Sequence, residues 1–314
     1  EALASQGDIP GPPWDIPDAP PLELVPPPET ASKTRKKPAA ASVPVTPNPF
    51  QDLPAPEPVA VSLVASAAAL QDLVDLWLAN PPELVGLDLE TTGLSPLLGA
   101  EVRTLQLQAA GEPCCWVVDA WQVGRDRWPA LVAPLFRLPS TTWVAHNAAF
   151  EVEHLAAAGV RILSPIRCTL TASDILSRGI KPTHKRRSSK GNGLDLASCC
   201  GRLLGVNVDK AEQVSDWSAQ TLTQEQLAYA ALDARLALDL WEVQLRKLQK
   251  DGLEAVVRVE SQALPAVVEA RLHGLTLDLQ KARHLLSNGQ QELASLASRL
   301  LELGVENVNS QRQV

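Results

Sequence analysis

Apolar residues recur at helical spacing in several segments of the chain, with polar residues between them that would face solvent. Residues 66–78 show this spacing and are expected to stop at Asn80-Pro81-Pro82, because a residue before proline disfavours the helical backbone. A long helix is predicted over 224–248, followed by helices over 253–272 and 279–303. Shorter helices are predicted at 129–136, 151–158, 170–176 and 194–204.

Strand patterns occupy the first part of the same region. Short apolar or alternating runs predict four strands, at 84–89, 102–109, 115–118 and 142–145. Three strands come first and the fourth lies among helices, an order typical of an α/β fold in which helices flank a mixed sheet. From about residue 250 the pattern is helical only, so we predict that a second domain begins there.

The N-terminal residues 1–58 have a different composition, dominated by Pro, Ala and short polar residues without a sustained period. Such a segment buries too little apolar surface to offset its chain entropy, and we predict a disordered linker. Its basic cluster at 33–37, like another at 185–190, is expected to be a solvated charge run, with contact to nucleic acid as the alternative. The predicted division is a linker over 1–58, a domain over 59–248 and a helical segment over 249–314.

Composition narrows the function classes. The 314 residues carry a formal net charge of −8, which argues against binding along extended duplex nucleic acid but not against a small site where cations offset phosphate charge. Five cysteines without a CxxC pair give no zinc pattern and, without a signal peptide, fit a reducing cytosol. The sequence lacks an apolar run of about 18 residues that would predict a membrane span. The absence of Met, even at position 1, predicts a piece of a longer protein.

The first candidate site is Asp88-Leu89-Glu90, at the end of the strand predicted over 84–89. Alternate strand residues share a face, so both carboxylates would project together while Leu87 and Leu89 point into the core. Two carboxylates on one face are unfavourable unless a cation joins them, and oxygen ligands suit Mg²⁺ or Mn²⁺. Alone, the pair is more typical of two exposed carboxylates at a strand end than of a metal site.

Two further segments supply matching groups. His146-Asn147-Ala148-Ala149-Phe150-Glu151 lies at a predicted strand-to-helix junction, where Asn147 and Glu151 would share a helix face. Tyr229 and Asp233, four residues apart on the long helix, would place a phenol beside a carboxylate. Taken singly, these patterns are also typical of an N-capped helix start and of a surface Tyr beside a solvated Asp. The order DxE, NxxxE, YxxxD is far more specific than any one of them.

In this order and spacing the chain resembles the Tyr-containing subclass of the DEDD exonucleases, and most of all the proofreading domain of family A DNA polymerases of the bacterial DNA polymerase I type. The stretches 168–172, 193–197 and 210–217 agree with the same family. Residues 270–278 resemble the first segment of the polymerase domain, and 307–314 a later one. The residues that carry the resemblance are Asp88, Glu90, Thr91, Thr92, Gly93, Leu94, His146, Asn147, Phe150, Glu151, Tyr229, Ala230 and Asp233.

The resemblance implies a ribonuclease H-like fold and 3′→5′ hydrolysis of single-stranded DNA ends to nucleoside 5′-monophosphates, as the proofreading part of a DNA polymerase in replication or repair. It implies two divalent cations, Mg²⁺ or Mn²⁺, with Asp88, Glu90 and Asp233 at the first and Asp88 and Glu151 at the second, and Tyr229 holding the attacking water. The substrate-contacting residues that it implies are Thr91, Thr92, Leu94, His146, Asn147 and Phe150.

The implied setting is a prokaryotic cytoplasm at the nucleoid, or a phage or plasmid system, with a polymerase domain in the same parent chain as partner. Two alternatives stay open: an RNA-processing exonuclease of the same superfamily, and a catalytically silent scaffold of the same fold. A third hypothesis is that the Pro-rich N-terminus is a ligand for Pro-recognising domains.

One position departs from the family, which usually has Asp where this chain has Glu151. The extra methylene would move the carboxylate by about one bond length. The second cation would then shift, or activity would fall, because small displacements matter in a catalytic site. We expect activity to be retained, since all five positions still carry competent side chains.

Overall fold

The computed structural model describes residues 50–178, 193–210, 212 and 215–305. Most of the predicted linker lies outside the described residues, which include only its last segment, 50–58. The basic clusters at 33–37 and 185–190 and the polymerase-like stretch 307–314 also lie outside them. Within the described ranges, no helix is long and apolar enough to cross a membrane.

One mixed sheet of six strands organises the described part of the chain. Its strands are β1 (Ala60–Val64), β2 (Leu84–Thr91), β3 (Val102–Ala109), β4 (Cys114–Asp119), β5 (Thr142–Ala145) and β6 (Ile166–Cys168). Their order is β1-β4-β3-β2-β5-β6. β3 runs antiparallel to β2 and β4, and the remaining neighbours are parallel.

The predicted α/β fold with a mixed sheet is confirmed, and the four predicted strands are all present. Two strands were not predicted, β1 and β6, which form the two edges of the sheet. They have five and three residues, too few to show a period before a helix begins. Their place in the sheet comes from pairing with β4 and β5, which a local pattern does not report.

Helices cover both faces of this sheet. Within the described residues they are α1 (Ala67–Ala79), α2 (Ala120–Val123), α3 (Trp128–Val132), α4 (Ala149–Ala157), α5 (Thr169–Ser177), α6 (Leu196–Leu203), α7 (Gln224–Lys250), α8 (Glu254–His273) and α9 (Leu279–Glu302). The prediction of one helix over 129–136 was wrong: α3 ends at Val132 and a separate 3₁₀ turn follows at Leu135–Arg137. Pro134 between them has no N–H with which to continue a helix.

Alternation along β2 assigns its two faces to two layers. Val85, Leu87 and Leu89 belong to the main core, which packs α1, α3 and α4 against the sheet. Gly86 points the other way and meets α7. Asp88 and Glu90 follow Gly86 at intervals of two and therefore lie on the same face. The strand thus carries core residues on one side and acidic residues on the side of α7.

Gly86 lets α7 lie directly against the sheet. A Cβ at this position would be 2.2 Å from the backbone oxygen of Ala234 and 3.0 Å from Cγ of Leu238, both on α7. The backbone of α7 therefore occupies the space that a side chain would need. Because Asp233 immediately precedes Ala234, this contact also sets the distance between α7 and the acidic face of β2.

A buried ion pair fixes the neighbouring strands. Arg103 on β3 is fully buried and pairs with Asp119 at the end of β4. The Asp119 carboxylate also accepts from the backbone N–H groups of Trp121 and Gln122, at 3.1 and 3.0 Å, and so caps α2. The Arg103 guanidinium lies 4.7 Å from the centre of the Trp121 ring. A buried charge of this kind is tolerated because it is paired with an opposite charge.

Substitution of Gly86 by Ala is expected both to destabilise the fold and to disturb the face of β2 that carries Asp88 and Glu90. The added methyl has no space against the Ala234 carbonyl, so we expect a loss of about 3 kcal/mol, the upper end for overpacking. Urea denaturation measures it. The matched control is G289A on α9, where a Cβ meets nothing within 4 Å and Ala should add about 0.5–1 kcal/mol. Equal stability of G86A and the wild type would contradict the close packing.

Candidate active site

The end of β2 supplies the first two acidic groups. Asp88 pairs in register with Gln106 of β3, and Glu90 with Thr104. Directly after Glu90 the register shifts, and the strand leaves the sheet at Thr91. The backbone then turns through Thr92, whose N–H donates to the Glu101 backbone oxygen at 2.9 Å. The acidic pair therefore stands where the strand opens into a loop.

The first turns of α7 supply a phenol and a third carboxyl group. Tyr229 and Asp233 lie one helical turn apart, close enough for each to affect the pKa of the other. The helix begins with a capping box in which Thr223 and Gln226 satisfy each other's backbone N–H groups. This fixed start determines the direction in which both side chains leave the helix.

The start of α4 supplies the fourth carboxyl group. β5 ends at Ala145, and the chain passes through Asn147 in a left-handed conformation with φ of 66°. Asn adopts this conformation more readily than most residues. The Asn147 backbone oxygen accepts from the Phe150 N–H at 2.8 Å, and the helix follows. Glu151 in its first turn is 2% exposed.

These segments enclose one cavity of about 410 Å³. Every residue predicted for the site lines it: Asp88, Glu90, Thr91, Thr92, Leu94, His146, Asn147, Phe150, Glu151, Tyr229 and Asp233. The structure therefore brings together the groups that the three motifs had indicated separately. Their roles in binding or catalysis remain predictions.

The sequence analysis missed one part of the cavity. The segment 215–218, hereafter the 215–218 wall, lines it beside Tyr229 and Asp233. Its residues are Ser215, Asp216, Trp217 and Ser218. Its only signal was the general resemblance of 210–217 to the family, which did not single out these positions.

The carboxyl groups raise one another's pKa values. Burial, followed by the charges of Asp88 and Asp233, raises the pKa of Glu90 to about 10. Burial raises the pKa of Asp233 to about 7, although Tyr229 and Lys210 act in the opposite direction. Burial and then Asp233 raise the pKa of Asp88 well above its ordinary range. The metal-free cavity therefore favours protonated acids over a cluster of negative charges.

Glu151 shares this behaviour. Burial, and then the charge of Asp88, raise its pKa well above the ordinary range. Its own backbone N–H opposes this rise in pKa, while Oε2 is buried without a hydrogen-bond partner.

The donor set fits a hard divalent cation. Besides Glu151 Oε2, the Asp233 Oδ1 atom is buried without a hydrogen-bond partner, and both are carboxylate oxygens of the kind that Mg²⁺ and Mn²⁺ prefer. Among the described residues, no group of three or more acidic, His or Cys side chains is already arranged to hold a metal ion. A cation bound by these carboxylates would offset their mutual repulsion.

The neighbouring His146 is uncharged. Burial lowers the pKa of its imidazole to about 4, and Nδ1 lies 2.9 Å from the Thr169 hydroxyl at the start of α5. This contact joins the end of β5 to α5. In the metal-free chain His146 therefore contributes a neutral hydrogen-bonding group, and no positive charge, to the cavity.

Comparison with known proteins agrees with this geometry. The model of the 3′-5′ exonuclease family of DNA polymerase A type matches residues 62–249, more than half of the chain. DNA polymerase I of Chloroflexus aurantiacus is 28% identical over 279 residues, which cover 83% of this chain and 28% of the polymerase. Ribonuclease D of Acidiphilium cryptum is 28% identical over 197 residues, which cover 63% of this chain and 45% of the ribonuclease. The chain thus spans less than half the length of either relative.

Among solved structures, Brucella melitensis NrnC has a similar fold. Its structure bound to pGG aligns with a TM-score of 0.54 at 26% identity, covering 69% of this chain and 95% of NrnC. Its structure with bound Mg²⁺ aligns with a TM-score of 0.53 at 25% identity, covering 69% of this chain and 94% of NrnC. The likeness covers 69% of this chain and is therefore not confined to a local motif.

The stability of the metal-free chain should fall as pH rises. A raised carboxyl pKa means that the folded state binds more protons than the unfolded state. The contribution of these raised pKa values to folding stability is therefore complete below about pH 4, where Asp and Glu carboxyl groups ordinarily titrate. It is lost as pH passes about 7 for Asp233 and about 10 for Glu90. Mg²⁺ should restore stability at the alkaline end, because it offsets the carboxylate charges.

Melting curves with Mg²⁺ and with EDTA, at about pH 5 and about pH 8, measure this difference; each kcal/mol corresponds to roughly 2–4 °C. D88N is the matched variant, since it removes one charge with little change in shape and should flatten the pH dependence. If D88N and the wild type without metal lost stability equally with rising pH, the carboxyl groups would not be its source.

Proposed function

Because the chain belongs to the 3′-5′ exonuclease family, we propose that it removes nucleoside 5′-monophosphates from the 3′ ends of single-stranded DNA, as the proofreading part of a DNA polymerase. The observation that carries this proposal is the meeting of four carboxyl groups and a tyrosine in one cavity. A site of this composition suits hydrolysis of a phosphodiester, whose negative charge it could hold only together with cations.

In this proposal Asp88, Glu90 and Asp233 would hold one divalent cation, Mg²⁺ or Mn²⁺, and Asp88 and Glu151 would hold a second. When bound, the cations supply charge stabilisation for the attacking and leaving oxygens. Burial, and then the neighbouring carboxylates, raise the Tyr229 pKa above its ordinary value, so its hydroxyl stays protonated and acts as a hydrogen-bonding group. Tyr229 therefore orients the attacking water rather than removing its proton.

The remaining cavity residues position the strand. Thr92 and Leu94 stand exposed on the loop after β2, and Leu94 is 91% exposed. With Thr91, His146, Asn147 and Phe150 they surround the acidic groups. We assign them to the terminal nucleotide, where apolar and aromatic side chains can stack on a base. Water attacks the last phosphodiester, the bond from phosphorus to the 3′ oxygen breaks, and that oxygen leaves with a proton.

The link to a polymerase rests on the extent of similarity. The alignment with the Chloroflexus polymerase covers 83% of this chain, more than the exonuclease match at 62–249. The alignment therefore extends beyond the exonuclease match. This extension supports the proposal that a polymerase segment follows about residue 249. Bacterial relatives also support the proposed setting, the cytoplasm at the nucleoid or a phage or plasmid system.

The second candidate function is RNA processing. Similarity to ribonuclease D, at the same 28% identity as to the polymerase, favours it. The cavity residues serve both functions equally well, since the carboxyl groups act on a phosphodiester that DNA and RNA share. Initial rates on DNA and RNA oligonucleotides of matched sequence would separate the two. A preference for RNA would replace DNA proofreading as the proposed function.

Cleavage of a labelled single-stranded oligonucleotide tests the proposal directly. In Mg²⁺ or Mn²⁺ the chain should shorten it from the 3′ end, and D233N should reduce the rate by about a hundredfold or more, since it removes a metal ligand. The matched control is D239N on the same helix, whose carboxylate pairs with Arg235 at 2.9 Å outside the cavity. Wild-type protein that degrades nothing would favour a silent scaffold instead.

Glu151 allows a finer prediction. E151D restores the residue usual in the family and should keep activity within about tenfold of the wild type. E151Q keeps the length but removes the charge, and should lose much more. Calorimetric titration with Mn²⁺ should show weaker binding for E151Q than for E151D. The reverse order would mean that side-chain length, not charge, governs this position.

A further inference from the structure

The 215–218 wall is a short segment held in a defined shape. The backbone N–H and the hydroxyl of Ser218 donate to Oδ1 of Asp216, at 2.9 and 2.5 Å. Trp217 is 5% exposed and packs with Leu227 and Ala230 of α7 in one apolar cluster. The wall therefore presents polar groups to the cavity while its tryptophan is anchored in the interior.

Gln226 joins this wall to the start of α7. It is 3% exposed, and its Nε2 donates to the Ser215 hydroxyl at 2.8 Å and to the Asp216 backbone oxygen at 3.2 Å. Its Oε1 accepts from the Thr223 backbone N–H at 2.9 Å. The amide thus caps the helix with one atom and holds the wall with the other. Only an amide of this length can do both.

Helical spacing places Gln226 in line with the catalytic candidates. Gln226, Tyr229 and Asp233 are at i, i+3 and i+7, which is one face of α7. The wall, the phenol and the carboxylate are therefore held by one stripe of a 27-residue helix. Because a helix is stiff over two turns, displacement of the wall changes its distance from both side chains.

We infer that Gln226 is a positioning residue that holds the 215–218 wall against the 3′-terminal nucleotides of the substrate. The inference rests on the proposed exonuclease function. The wall's own groups are two hydroxyls and the Asp216 carboxylate, which lacks a cationic partner among the contacts of the described residues. A carboxylate repels phosphate groups and accepts hydrogen bonds from hydroxyl and amino groups. The wall is therefore suited to contact sugar hydroxyls and base edges, while the phosphates would lie at the acidic cluster and its cations.

Two variants separate the two roles of Gln226. Q226E keeps an oxygen to accept from the Thr223 N–H but removes both donors to the wall. T223A removes the hydroxyl that accepts from the Gln226 N–H at 3.1 Å and leaves the wall contacts intact. Both weaken the helix start, but only Q226E releases the wall. A role confined to stability would make the two variants alike.

The measurement is binding of a fluorescein-labelled single-stranded DNA oligonucleotide by the full chain, followed by anisotropy in Ca²⁺ so that cleavage does not interfere. We expect Q226E to raise the Kd by about fivefold to tenfold, the effect of losing one or two hydrogen bonds. T223A should stay within about twofold of the wild type, and Mn²⁺ binding followed by electron paramagnetic resonance should be unchanged in both. Equal Kd values for Q226E and T223A would overturn the inference.

A second variant covers the case in which Q226E does not fold. S215A removes one acceptor of the wall contact without touching the helix cap, and we expect it to raise the Kd by about twofold to threefold. An unchanged Kd for S215A, with Q226E unfolded, would also overturn the inference. Binding is measured apart from cleavage, so a wild-type chain that binds the strand but never shortens it would fail the proposed function alone.

Discussion

The close approach of α7 to the central strand β2 is the constraint on which the site depends. Gly86 leaves room for the Ala234 backbone oxygen, which lies where a Cβ would be. Asp233, the preceding residue, is thereby brought beside Asp88, close enough for their charges to interact. A single contact between a strand and a helix backbone therefore determines both the packing of this face of the sheet and the convergence of the carboxyl groups.

That convergence is unfavourable in the absence of metal. Four carboxyl groups are withdrawn from water, which raises their pKa values, and neighbouring carboxylates raise those of Asp88, Glu90 and Glu151 further. The strain is confined to one cavity, while the surrounding sheet is held by an apolar core and a paired Arg103–Asp119. Such a site can bind cations tightly. Folding removes the carboxylates from water and brings their charges together, and a bound cation compensates for both effects.

Each acidic group is positioned by a different local device. The end of a strand holds Asp88 and Glu90, and a left-handed Asn147 turns the chain into the helix that carries Glu151. A capping box formed by Thr223 and Gln226 fixes the start of the helix that carries Asp233. The side-chain amide of Gln226 also holds the 215–218 wall beside it. Because these devices are local, each motif is recognisable in the sequence. Because they are separate, their convergence depends on the fold.

The sequence by itself determined the four main strands, most helix boundaries and the residues of the three acidic motifs, since alternation, helical spacing and capping residues are local properties. It did not determine the edge strands β1 and β6, the break at Pro134 or the 215–218 wall. Strand pairing, a helix end and a cavity lining depend on contacts between segments far apart in the chain. Only the tertiary structure decided that Glu151 is buried with one carboxyl oxygen lacking a hydrogen-bond partner, because burial depends on the packing of segments that are far apart in the chain.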